Sequence, residues 1–112
     1  MEYFVTENIN NVIVIRLVFN EIGFQEREEL KKQLVALVAK DGGNFVVNLA
    51  KIGFLSSLVI ATLISFMKAV HENGGTIRLC EASESAAYAL QVTRMDQAFS
   101  VYDAEKEAVE SV

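Results

Sequence analysis

The chain has 112 residues, 52% of them apolar and 22% charged, with a net charge of −5 at neutral pH. That length accommodates one hydrophobic core and not two, and the composition excludes a disordered or collagen-like chain. The ten basic residues are scattered, which argues against nucleic acid as a partner, because phosphate binding needs clustered Lys and Arg.

Strand and helix signals alternate along the chain. "YFVTE" reads as a short strand, "NIN" as a turn, and the β-branched run "NVIVIRLV" as a second strand. "NEIG" breaks it. Over residues 24–39 the period changes: Leu30, Leu34, Leu37 and Val38 recur at helical spacing. "KDGGN" ends that helix, because glycine adopts the left-handed geometry common at helix C-termini. "FVVNLA" is a buried strand, and a highly apolar helix over residues 57–71 is expected to be enclosed on nearly all sides. "ENGG" stops it and "TIRLC" is the next strand. An Ala-rich helical segment follows, with Ser83 or Ser85 as its cap. "RMDQA" reads as a turn, "FSVY" as a last short strand, and "DAEKEAVESV" as a helix with Asp103 as N-cap.

The order β-β-α-β-α-β-α-β-α predicts an α/β layer protein: a mostly parallel sheet with helices packed on it and a hairpin at one edge.

Reactive chemistry is sparse. One cysteine, Cys80, permits no intramolecular disulfide, and its place in "TIRLC" suits an inert core thiol. His71 is the sole histidine, at the expected end of a helix, where a His is simply favourable. A pocket joining His71 to Cys80 would be the one route to a familiar nucleophile and base. The glycine pairs match no phosphate-binding loop. The expectation is a binding protein and not an enzyme, with no cofactor and no metal. The N-terminus has no basic region leading into an apolar core, so a cytoplasmic protein is expected. Residues 52–67 carry no charge, yet the run is short of the about 20 apolar residues a spanning helix needs and is studded with hydroxyls. No membrane insertion is expected.

One stretch carries most of the functional information: "GFLSSLVIATLISF", residues 53–66. Ser56 and Ser57 stand at the entry to a helix. A serine there can cap free backbone N–H groups. A phosphate on the same hydroxyl would gain from those groups and from the helix dipole, and would place up to about two negative charges in a surface. Both readings are open from the residues alone.

The whole chain resembles a STAS domain, the family of bacterial anti-sigma-factor antagonists. The resemblance rests on the element order, on "FVVNLAKIGFLSSLVIATLISFMKAVHENGGTIRLCEAS" and on the ending "ALQVTRMDQAFSVYDAEKEAV". It implies one STAS-like domain over residues 1–112. It further implies an antagonist that binds an anti-sigma factor serine kinase and is phosphorylated on a serine at the start of a helix. A serine phosphatase then restores binding. The family pattern is an aromatic, an apolar residue, then Asp-Ser-Ser/Thr-Gly-Leu. Phe54 and Leu55 match its opening, Ser56 stands where the Asp is expected, and Ser57 falls on the phosphoacceptor, with Ser56 the second candidate. Leu58 replaces the second hydroxyl residue, Val59 the glycine, and Ile60 keeps the apolar position. The implied partner-binding residues are Lys51, Gly53, Phe54, Ser56, Ser57, Leu58 and Val59, with "NEIGF" nearby. Val59 would add bulk where a partner's backbone approaches. The altered motif also fits a non-phosphorylated STAS subunit of a larger assembly, such as a lipid-transport complex or a stress-sensing scaffold.

Overall fold

The computed structural model describes residues 2–41 and 43–112. Five strands form one sheet in the order β1-β2-β3-β4-β5. β1 (Phe4–Ile9) pairs antiparallel with β2 (Val12–Leu17); β3 (Asn44–Asn48), β4 (Thr76–Cys80) and β5 (Ser100–Tyr102) continue in parallel. The edge hairpin closes at Asn10 and Asn11, both with positive φ (54° and 65°), the two-residue geometry that matches strand twist and that Asn tolerates. The turn therefore falls two residues after the expected "NIN" begins.

Sequential parallel strands joined by right-handed crossovers place their helices on one face. These are α1 (Phe24–Asp41), α2 (Ser57–Glu72) and α3 (Glu84–Val92). Side chains alternate accordingly. Ile15, Leu17, Phe45, Val47, Ile77 and Leu79 face the core beneath these helices, which contribute Leu30 and Leu34, then Val59, Leu63, Phe66 and Val70, then Ala86 and Leu90. Phe45 of β3 meets Phe66 of α2 edge to face at 5.3 Å, which fixes α2 on the sheet. The helix is not enclosed on all sides. Its buried stripe recurs at spacings of three and four residues, while Leu58, Ala61 and Ile64 stay half-buried.

The opposite face is covered by one short helix, α5 (Glu105–Glu110), over a second cluster of Val12, Val14, Val46, Cys80, Ala108 and Val109. "RMDQA" is not a plain turn: a one-turn helix, α4 (Met95–Ala98), forms there after Arg94 at φ 62°. Asp103 does not cap α5. The N-cap position is Ala104, which makes no side-chain cap bond, and the N–H of Glu105 donates instead to the Glu81 carboxylate at 3.1 Å.

Gly75 is dictated by close approach. A Cβ there would lie 2.0 Å from the Gly43 carbonyl oxygen, which accepts a hydrogen bond from the N–H of Thr76 at 3.0 Å.

Candidate functional site

Strands β2, β3 and β4 run in parallel, so the loops leaving them emerge at one end of the sheet. The middle loop, residues 49–56, holds the serine pair. It turns sharply because the Asn48 side chain accepts from the N–H of Ala50 at 2.8 Å and the Leu49 carbonyl accepts from the N–H of Ile52 at 3.0 Å. Ile52 and Leu55 are buried and anchor the loop on the core. Between those anchors the chain bows outward. Phe54 is 60% exposed, an aromatic held in water at the crest, with Lys51 exposed on the approach.

The flanking loops hold this one in place. Asn20 Oδ1, from the loop after β2, accepts the N–H of Gly53 at 3.3 Å. Ser83 Oγ, from the loop after β4, donates to the carbonyls of Gly53 and Ile52 at 3.3 and 3.4 Å. The same oxygen accepts the N–H of Ala86 at 3.1 Å, which identifies Ser83, and not Ser85, as the cap of α3. A side chain at position 53 would press on Asn20 Oδ1 at 3.3 Å.

The serines divide their roles. Ser56 is the N-cap of α2: its φ and ψ are extended, and its Oγ accepts the N–H of Val59 at 3.3 Å. Ser57 is the first helical residue and is exposed. Among the described residues, no hydrogen bond engages its hydroxyl. Leu58 is half-buried beside it.

Val59 is a correction to the expected contact surface. It is 1% exposed and packs in the core with Leu63 and Phe66, so its bulk points inward and not onto the surface. Spacing already carried that signal, since Val59, Leu63, Phe66 and Val70 form one helical stripe. Gly53, Phe54, Ser56, Ser57 and Leu58 do come together, with Lys51 entering the same loop. Phe24, at the start of α1 and 68% exposed, follows the loop that supplies Asn20. The contacts of Asn20 and Ser83 with Gly53 span 33 and 30 residues and had no local signal in the sequence.

His71 and Cys80 do not meet. His71 is exposed in the last turn of α2, before β4 begins, whereas Cys80 ends β4 and faces the α5 side. Burial pushes the Cys80 thiol up to about 12, with Glu81 and Glu105 adding to the effect, so it holds its proton at neutral pH. Among the described residues, no three or more His, Cys, Asp or Glu side chains are grouped to hold a metal, and no helix is long and apolar enough to cross a membrane.

No curated protein matches the sequence. Solved structures do match the fold. A Thermotoga maritima protein described as a candidate anti-sigma factor antagonist superposes with a TM-score of 0.87 at 20% identity, covering 97% of this chain and 93% of that one. An anti-sigma-factor antagonist (STAS) domain protein from Planctomyces limnophilus gives 0.82 at 25% identity, with 96% of each chain covered. The Bacillus cell-fate determinant SpoIIAA in its phosphorylated form gives 0.73 at 19% identity, covering 96% and 97%. The STAS domain family model spans residues 3–108. With the sheet order, the loop and that match in agreement, the chain belongs to the STAS domain family.

Proposed function

We propose that this chain is an anti-sigma-factor antagonist that regulates transcription by docking on an anti-sigma factor serine kinase. Phosphorylation of Ser57 releases it and a serine phosphatase restores it. The chain supplies a surface and an acceptor hydroxyl, and the kinase supplies the catalysis, so no enzymatic group or cofactor is required of it. Its place of action is the cytoplasm.

The observation that carries this reading is the division of labour between the serines. Ser56 takes the structural duty of capping α2, which leaves Ser57 exposed beside Phe54. A phosphate at Ser57 would sit in the first turn of a 16-residue helix, where the dipole favours it, and would put negative charge beside the exposed aromatic. Two of the three departures from the family pattern, at positions 56 and 59, are mild in this fold; the third, Leu58, removes the second hydroxyl. Ser at position 56 accepts the bond that an Asp there would accept, and Val59 faces the core. The alternative, a fixed subunit of a larger assembly, draws on all three departures and keeps the support of Leu58 alone.

The test is titration calorimetry with the cognate kinase, paired with intact mass after incubation with kinase and ATP. Wild type and Ser57→Ala should bind alike, Ser57→Asp should bind at least about tenfold more weakly, and only proteins retaining Ser57 should gain one phosphate. Equal binding by all three, with no gain in mass, would sink the switch.

A further inference from the structure

We infer that Asn20 and Ser83 are positioning residues for the docking loop, gripping Gly53 from its two backbone poles so that Phe54 is presented at a fixed height. The N–H of Gly53 is held by Asn20 Oδ1 at 3.3 Å and its carbonyl by Ser83 Oγ at 3.3 Å. The two grips come from the loops on either side, after β2 and β4. Position 53 is the residue directly before the exposed Phe54 and directly after the buried Ile52.

Each bond is long, so the grip works through number and direction rather than through any one strong contact. Ser83 spreads one hydroxyl proton over the carbonyls of Ile52 and Gly53 while its lone pair caps α3 at Ala86. Its hydroxyl therefore ties the start of α3 to the docking loop. Asn20 has no such second duty among the described residues. Gly53 fits because a Cβ there would crowd Asn20 Oδ1 at 3.3 Å. Pre-ordering a loop that carries an exposed aromatic reduces the entropy lost when a partner covers it.

The functional meaning of the grip rests on the docking reading above, but the grip itself can be tested without a partner. Chymotrypsin cuts after Phe54 only when the loop opens, whereas a cut after Phe45, fully buried in β3, needs global unfolding. Mass spectrometry of timed digests should show Asn20→Ala and Ser83→Ala raising the Phe54 rate about three- to tenfold, the effect of one lost hydrogen bond, with cutting after Phe54 staying faster than cutting after Phe45 in every variant. Asn20→Asp and Ser83→Thr, which keep the acceptor and the hydroxyl, should restore the wild-type rate. Ser83→Ala alone should also speed cutting after Tyr88, because it uncaps α3. A wild-type Phe54 rate in Asn20→Ala, failure of Asn20→Asp to restore it, or a Phe54 rate no faster than the Phe45 rate, would overturn the positioning role. Loss of the docking reading has a separate signature: Phe54→Ala binding the kinase as well as wild type.

Discussion

Arg16 grips both carboxylate oxygens of Glu105, its Nε at 2.9 Å and its Nη2 at 2.8 Å, across 89 residues of sequence. The pair pins the short α5 to β2. Asn48 adds a bond to Glu105 at 2.9 Å, and Glu7 takes the remaining side of the guanidinium at 2.8 Å. A six-residue helix has little intrinsic stability, so its docking depends on this polar pin and on Ala108 and Val109. Glu105→Ala should lower unfolding free energy by about 1–3 kcal/mol, the range for charge-assisted bonds whose partner is left partly desolvated, measured by urea denaturation.

The same pin should respond to acid. Hydrogen bonding from Arg16, then from Asn48, holds the Glu105 carboxyl below its usual range, against the opposing pull of burial. A depressed folded-state value means the contribution is fully present above the unfolded value of about 4.3 and is lost as pH falls through the lower folded one. The stability difference between wild type and Glu105→Gln should therefore hold from pH 7 down to about 5 and shrink toward pH 3. A difference that stays constant to pH 3 would show that the carboxylate charge plays no part.

The two adjacent serines should separate cleanly in stability. Ser56→Ala removes the cap of α2 and should destabilise by about 1 kcal/mol. Ser57→Ala removes an exposed hydroxyl and should stay within about 0.5 kcal/mol of wild type. Thermal unfolding of the two variants under identical conditions reads the contrast, and a reversed order would assign the cap to the wrong serine.

Cys80 offers a reporter of α5. It is fully buried between β4 and α5 with its thiol pushed up to about 12, so native protein should react with a thiol reagent about a hundredfold or more slower than the denatured chain. Glu105→Gln should accelerate that reaction more than it lowers global stability, because it frees the cover over the thiol. Kinetic labelling read by absorbance checks this.

Periodic segments were legible in the sequence: α1, α2 and the strand "TIRLC" fall where spacing and β-branched runs place them, because burial on one face imposes the period. What was not legible depends on distant partners. Asp103 has the chemistry of a cap, but the carboxylate of Glu81, 24 residues before Glu105, meets the first N–H of α5. Glu81 reaches it from a left-handed turn at φ 55° that no local pattern announces. α4 is four residues long, too short for periodicity to mark. Val59 was misplaced for the opposite reason: a motif comparison overrode a helical stripe that was plainly present.

Parallel strands deliver the loops at residues 20, 53 and 83 to one rim, while the strands and the helical stripes lie below it. The rim is joined to the body through backbone polar groups and two buried anchors, Ile52 and Leu55. Outward residues such as Phe24, Phe54 and Ser57 can therefore be exchanged without disturbing the packing that sets the fold. Chains alike at only a fifth to a quarter of their positions still superpose on this frame.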